Sequence, residues 1–368
     1  MERPAEISKK NKIIFTIIIF AAVPFIIFFL GEISGRVVVS VLYGHPGKSY
    51  GIYDGDPVLG HIPAPDTYNH LTALNDHGFR NLEDVIDPKP EGALRVIIYG
   101  GSPTFAYNLP TEETWPYKLQ LRLRGNLGNP AHQVLNAGVV LWSLSHAYER
   151  ARREIPLFKP DYVLIYSGFN EESNAVYLER SGKTIKALVE EERYGVIATN
   201  YPASAWLHRN SLVFKAFGKF VMPRVRTLLS GGGTEPLPFQ KRLLRAGGEG
   251  SDLNTVTEPD SYVLKNYLEV LEKFVGLARR HGAEPVFIVQ ASANPPPKDR
   301  RLTAYSARGA RFIRTLGVRV LSAWDVIGRY GGPPMDLFFH TGIHFSAKGS
   351  DAMADYLFEQ IFRNRDQP

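Results

Sequence analysis

The stretch "RVIIYGGSPTFAY" at residues 95–107 decides the fold, because an apolar, β-branched run ends there at two glycines and a serine. Glycine has no Cβ, so a backbone can bend sharply or approach another group closely at these positions. The pattern predicts a buried strand followed by a turn that presents Ser102. A serine after a strand is also typical of an N-cap that merely begins a helix, and the rest of the chain has to separate the two alternatives.

From residue 94 onward, apolar runs alternate with amphipathic stretches, which is typical of a parallel sheet covered by helices. The sequence therefore predicts an α/β domain over 94–368, with three α/β/α layers around a central parallel sheet. The predicted strands are "RVIIYGG" (95–101), "QVLNAGVV" (133–140), "DYVLIYSGFNE" (161–171), "EPVFIVQAS" (284–292) and "VRVLSAWDVI" (318–327), and the predicted helices lie near 112–124, 144–155, 262–282 and 301–316 and from Ser346 onward.

Two segments stand outside this alternation. Residues 36–93 contain many turn formers and predict an irregular lead-in with one or two short strands. Residues 172–260 predict an insertion, and within it 205–229 is basic and amphipathic. Such a helix is typical of a solvated face or of a segment that lies against anionic lipid, and it is also suited to a partner protein.

The amino terminus predicts a membrane anchor over 13–35, because "IIFTIIIFAAVPFIIFFL" (13–30) contains no charged residue and is close to the length that crosses a bilayer. The apolar run is longer than a signal-peptide core, and no small-residue cleavage site follows it. Lysines precede the run, at positions within 9–12, so residues 1–12 are expected in the cytoplasm. The sequence thus predicts a single-pass membrane protein whose domain is periplasmic or extracellular.

Composition excludes several classes of function. The 368-residue chain has no cysteine, which rules out thiol catalysis, thiolate metal sites and disulfides. Its 43 Lys and Arg are scattered among 37 acidic residues, so a nucleic-acid partner is not expected. No glycine-rich dinucleotide or P-loop motif and no H-E-x-x-H motif occurs, and we expect neither a cofactor nor a metal.

Chemistry-bearing residues follow the predicted strands, at the edge where open parallel sheets bind ligands. Ser102 follows the first strand, Gly138 of "NAGV" the second and Asn170 of "SGFNE" the third, and His344 lies in "HTGIHFSAKG" near the carboxyl terminus. They supply a hydroxyl nucleophile, a backbone N–H, an amide donor and an imidazole base. This is the set that acyl transfer from an ester requires.

At these residues the chain resembles the SGNH hydrolases, or GDSL esterase/lipase superfamily, and in particular their membrane-anchored bacterial type. The resemblance covers roughly 75–362 apart from the insertion. "GGS" stands at the family's G-D-S block, "NAGV" at its second block, "GFNE" at its G-x-N-D block and "TGIH" at its D-x-x-H block, while "NDHGFR" (75–80) is similar to the lead-in of anchored members.

The resemblance implies a role for each matched residue. Ser102 would be the nucleophile and His344 the base, and the Ser102 N–H, Gly138 and Asn170 would form the oxyanion hole. Thr341 stands where the family has an aspartate that orients the imidazole. A threonine hydroxyl can accept a hydrogen bond but carries no charge, so Thr341, or Asp336 or Asp325 from a neighbouring loop, is a candidate to orient His344. The alternatives are a backbone carbonyl that supports a Ser-His dyad, or loss of catalysis.

The sequence therefore predicts a membrane-anchored, extracytoplasmic esterase or acyltransferase that acts on an acylated carbohydrate or lipid. Surface polysaccharide is the leading substrate class, by analogy with anchored relatives. The alternative is a catalytically silent accessory subunit of a membrane complex with the same fold. Its partner would dock through Ile13 to Leu30 and the 172–260 insertion.

Overall fold

The structure is a computed structural model that describes residues 9–43, 52–56, 59–68, 71–140, 142–171, 211, 213, 261–293 and 300–363. The predicted insertion, including its amphipathic stretch, lies outside the described residues except for Ser211 and Val213. The chain forms two compact units: Met1–Gly51 with Tyr201–Thr234, and Ile52–Asn200 with Glu235–Pro368.

The second unit contains the predicted central sheet, which has five parallel strands in the described part of the chain. The strand that precedes Ser102 is β5, and it lies between β6 and β7 in the order β6-β5-β7-β8-β9. Strand β5 is therefore paired on both edges, and its carboxyl end lies between the carboxyl ends of β6 and β7. The strands are β5 (Arg95–Gly100), β6 (Gln133–Asn136), β7 (Tyr162–Tyr166), β8 (Glu284–Val289) and β9 (Arg319–Ser322).

Helices pack on both faces of the sheet because successive side chains of a strand point to opposite faces. In β5, Ile97 and Tyr99 join one apolar cluster, and Val96 and Ile98 join another. The first cluster includes residues of α4 (Leu144–Phe158), α5 (Ser261–Arg280) and α6 (Arg300–Thr315), and the second includes residues of α3 (Trp115–Leu127), α7 (Trp324–Tyr330) and α8 (Ala347–Leu357).

Two predictions of local structure were wrong. The lead-in has four short strands where one or two were expected, in two antiparallel pairs. The predicted strand at 318–327 is half helix, since β9 ends at Ser322 and the Ser322 hydroxyl accepts a hydrogen bond from the Trp324 N–H at 3.3 Å as α7 begins. The lead-in strands are β1 (Tyr53–Asp56), β2 (Gly60–Pro63), β3 (Thr67–Tyr68) and β4 (Ala73–Leu74).

The predicted anchor at 13–35 falls within α1 (Lys9–Tyr43) of the first unit. Glu32 of this helix pairs with Arg36 at 2.7 Å, and it accepts hydrogen bonds from the Ser211 hydroxyl at 3.0 Å and the Val213 N–H at 3.1 Å. A search of the described residues found no helix with both the length and the apolar character needed to cross a membrane. Membrane anchoring therefore stays a prediction.

Candidate active site

Ser102 is presented by a sharp turn at the carboxyl end of β5, where it begins the four-residue helix α2 (Ser102–Phe105). Gly101 precedes it, and a Cβ at Gly101 would lie 2.5 Å from the Asn170 side-chain nitrogen and 3.1 Å from the Trp142 carbonyl oxygen. No side chain fits there. The glycine of "GGS" therefore allows the Asn170 amide and the Trp142 loop to approach the nucleophile closely.

His344 reaches Ser102 from the other end of the chain, with 3.0 Å between His344 Nε2 and Ser102 Oγ. The imidazole lies in the loop before α8. Two backbone bonds hold this loop: the Phe339 N–H donates to the His344 carbonyl at 2.8 Å, and the Ala293 N–H donates to the Gly342 carbonyl at 2.7 Å. The second bond connects this loop to the residues that follow β8, so it fixes the position of the imidazole relative to the sheet.

The second imidazole nitrogen contacts Thr341, the residue that stands at the family's aspartate position. Thr341 Oγ1 lies 3.0 Å from His344 Nδ1. If Nε2 accepts the Ser102 proton, Nδ1 carries a hydrogen and donates it to the threonine oxygen. Thr341 is exposed to solvent, so water competes for this hydrogen bond. The base thus has a neutral and partly hydrated partner.

Both carboxylates predicted as substitutes for the missing aspartate are engaged elsewhere. Asp325 accepts a hydrogen bond from the Tyr356 hydroxyl at 2.8 Å. Asp336 accepts one from the Tyr330 hydroxyl at 2.6 Å and pairs with Lys348 at 3.8 Å. The structure therefore places Thr341, and not an acid, against His344.

The surroundings of His344 favour the neutral imidazole. Burial and, to a smaller extent, the nearby His340 together lower the pKa of His344 from its ordinary value of 6.5 to about 4. An unprotonated imidazole can accept a proton at neutral pH. The same low pKa makes it a weak base, because in the described part of the chain the imidazole has two hydroxyl partners, Ser102 and Thr341, and a hydroxyl carries no charge to stabilise an imidazolium.

The two predicted oxyanion residues are placed differently. The Asn170 amide donates to the Trp142 carbonyl at 2.6 Å, and the amide group has a second N–H beside Gly101. The Gly138 N–H instead donates to the Asn136 side chain at 3.0 Å. A Cβ at Gly138 would lie 2.5 Å from the Phe105 nitrogen, so this glycine lets the β6 loop pack against α2. In the structure Gly138 serves close packing, and its N–H is already bonded.

A small crevice that opens to solvent lies at Pro103, the residue after Ser102. Gln290 contributes to its wall and directly follows β8, and its side-chain oxygen accepts a hydrogen bond from the Phe169 N–H at 2.8 Å. Gln290 was not among the predicted site residues. It directly follows the apolar run "EPVFIV", and the rule that ligand sites follow each strand predicts a site residue at that position. The lining residues are Pro103, Tyr166, Phe169, Gln290, Ala291, Ser292 and Ile343.

The described residues thus form a five-stranded parallel sheet with a serine hydroxyl hydrogen-bonded to an imidazole at its carboxyl edge, which is the nucleophile-and-base geometry that serine catalysis uses. This arrangement agrees with the resemblance to the SGNH superfamily. Among the described residues, no group of three or more His, Asp or Glu side chains is arranged to hold a metal ion.

Several solved structures are similar to the chain. One is a protein assigned to the G-D-S-L lipolytic family from Desulfitobacterium hafniense: identity is 13%, coverage is 72% of this chain and 98% of that chain, and the TM-score is 0.42. A lipase/acylhydrolase from Enterococcus faecalis is 14% identical, with 73% and 95% covered and a TM-score of 0.43. Axe2, an acetylxylan esterase from Geobacillus stearothermophilus, is 12% identical, with 74% and 96% covered and a TM-score of 0.44.

No protein-family model and no curated protein matches the chain. At these identities the likeness concerns the fold, and the chemistry of the site is inferred from the side chains of this chain.

Proposed function

We propose that the protein hydrolyses or transfers an ester-linked acyl group, with Ser102 as the nucleophile and His344 as the general base. The observation that carries the proposal is the 3.0 Å hydrogen bond between Ser102 Oγ and His344 Nε2, made by residues far apart in sequence. Nucleophile and base within hydrogen-bond distance are the signature of covalent serine catalysis.

The reaction takes place in two steps. His344 Nε2 removes the hydroxyl proton while Ser102 Oγ bonds to the acyl carbon, and the ester carbonyl becomes an oxyanion. The Asn170 amide and the Ser102 N–H are the donors proposed to hold that oxyanion. The bond to the leaving oxygen then breaks, and that oxygen takes the proton from His344. Water, or a hydroxyl of an acceptor molecule, releases the acyl group by the same steps in reverse.

The crevice beside Ser102 supports a substrate that offers an ester at a surface and leaves most of its mass outside. Little of its space is enclosed, so it suits a short acyl group better than a long chain. We propose an acylated carbohydrate or lipid as the substrate class, and a membrane anchor at 13–35 that keeps the domain beside such substrates outside the cytoplasm.

A fluorophosphonate probe tests the proposed chemistry, because it bonds covalently only to an activated serine. The purified full-length protein should be labelled at Ser102, as located by peptide mass spectrometry. Ser102→Ala should abolish labelling, and His344→Ala should reduce it by about 10² or more. The matched control is Ser143→Ala, because Ser143 also bonds to a histidine, His146, at 2.9 Å and should not be the labelled residue.

Folded protein that stays unlabelled would refute the proposal. The fold would then support the alternative of an accessory subunit without catalytic activity.

A further inference from the structure

The exposed ring of Tyr107 covers the buried imidazole of His344. Their ring centroids lie 4.9 Å apart with the planes at 78°, an edge-to-face contact. Tyr107 is 40% exposed, whereas His344 is 5% exposed. Such aromatic pairs prefer this geometry and resist rotation away from it. The contact therefore restrains the imidazole and separates it from water.

The loop that carries Tyr107 has an unusual backbone. Ala106 adopts the left-handed conformation with φ 57° and ψ 47°, and its N–H donates to the Ser102 carbonyl at 2.8 Å to close α2. A residue with a Cβ adopts this conformation only where its surroundings impose it. Something in the structure must therefore hold the chain between Phe105 and Leu109.

Arg80, the last residue of "NDHGFR" in the lead-in, hydrogen-bonds to the backbone of that loop. Its guanidinium donates to the carbonyl oxygens of Phe105 and Leu109, which bracket the loop, and to the Leu71 carbonyl at 3.0 Å. Arg80 is buried and also lies over the Phe105 ring at 4.7 Å. A planar guanidinium can bind several carbonyls at fixed angles, which a lysine cannot.

We infer that Arg80 and Tyr107 are positioning residues for the catalytic base: Arg80 fixes the 105–109 loop, and Tyr107 of that loop holds the His344 ring toward Ser102. Thr341 gives the ring only a neutral, solvent-exposed hydroxyl partner. Packing from Tyr107 supplies the restraint that a buried carboxylate would otherwise provide. The "NDHGFR" stretch of the lead-in thus has a positioning role in the site that was not predicted from the sequence.

The effect on activity rests on the proposed function, but the effect on His344 does not, so the test measures both. Ser102, Thr341, Tyr107 and His340 are the groups that face or influence the imidazole. The His344 pKa is measured by side-chain NMR on the full-length protein. Hydrolysis of p-nitrophenyl acetate gives kcat and KM.

Tyr107→Ala should raise the His344 pKa by about one unit or more, because water reaches the ring. It should also lower kcat about tenfold with little change in KM. Tyr107→Phe keeps the ring and should restore both values. Leu121→Ala is the matched control, since it truncates a similarly exposed apolar side chain on α3 and should change neither.

Arg80→Lys keeps the positive charge but cannot bind the Phe105 and Leu109 carbonyl oxygens together at fixed angles. It should therefore raise the His344 pKa and lower kcat, as Tyr107→Ala does. Arg80→Gln is the second variant if Arg80→Lys does not fold. Its amide cannot reach all three carbonyl oxygens that Arg80 binds, so it should raise the His344 pKa and lower kcat in the same way.

An unchanged His344 pKa in Tyr107→Ala overturns the inference, whatever the activity. An unchanged His344 pKa in folded Arg80→Lys, or in folded Arg80→Gln where the lysine variant does not fold, removes Arg80 from it. Wild-type protein without activity or labelling refutes the proposed function alone, since the NMR result still decides whether Tyr107 and Arg80 position His344.

Discussion

Thr341 gives the His344 imidazole a hydroxyl partner where a carboxylate would carry charge, and this sets how strong a base the site can form. A carboxylate stabilises the imidazolium produced when serine is deprotonated, and a hydroxyl does so only through its dipole. Because the pKa of His344 is lowered to about 4, the imidazole is unprotonated above that pH. Activity should therefore persist in mildly acidic solution and fall only as the pH drops through about 4.

Thr341→Asp tests this account of the base. The new carboxylate should stabilise the imidazolium, raise the His344 pKa and increase kcat at neutral pH by about 10- to 100-fold. The acidic limb of the pH profile of kcat/KM should move upward from about pH 4, so that the variant loses activity at an acidity the wild type tolerates. Thr341→Val is the control, because it keeps the shape, removes the hydroxyl and should lower kcat. An acidic limb that does not move in Thr341→Asp would contradict the assignment of Thr341 as the partner of Nδ1.

At the scale of elements, one buried residue at the end of β6, Asn136, connects this strand to α2 and to the lead-in. The Asn136 side chain donates to the Thr104 carbonyl at 3.0 Å and accepts from the Gly138 N–H at 3.0 Å. The Asn136 N–H in turn donates to the Asn81 side chain at 3.0 Å. Three segments that are separate in sequence thus meet around a fully buried side chain.

Asn136→Ala should lower the free energy of unfolding by about 2–4 kcal/mol, because a buried carbonyl and a buried N–H each lose their partner. Denaturant unfolding followed by circular dichroism measures the change. Asn126→Ala is the matched control: the same substitution removes a hydrogen bond of 2.8 Å to the Arg122 carbonyl on the exposed face of α3. It should change the free energy of unfolding by less than about 0.5 kcal/mol. Equal effects of the two substitutions would show that the Asn136 network contributes no special stability.

Local sequence patterns predicted the strands and helices better than the contacts between them. The strands β5 to β8 and the helices that cover them follow from apolar runs and amphipathic periods, which depend on neighbours in sequence. The hydrogen bonds from Arg80 to the 105–109 loop and the contact of Tyr107 with His344 join residues that are distant in sequence, and no local pattern encodes them. Ser102 was a candidate because strand ends in a parallel sheet converge, whereas the choice of Thr341 over Asp336 and Asp325 as the partner of His344 required the three-dimensional structure.

At the scale of the whole molecule, the chain's lack of cysteine makes its predicted topology directly testable. Glu91→Cys would introduce a single thiol at an exposed position of the second unit, and Glu6→Cys would introduce one in the predicted cytoplasmic segment. A membrane-impermeant maleimide should label Glu91→Cys in intact cells and Glu6→Cys only after lysis, because the lysines before the apolar run favour the cytoplasm. Labelling of Glu6→Cys alone in intact cells would reverse the predicted orientation, and loss of both proteins from the membrane fraction would exclude the anchor.

The hydrogen bond between Ser102 and His344 joins residues 242 positions apart. During synthesis the turn with Ser102 therefore emerges long before the loop with His344. Closing so long a loop is slow compared with forming the neighbouring strands and helices. A chain that stops before residue 344 has a serine at the end of β5 without the imidazole proposed as its base.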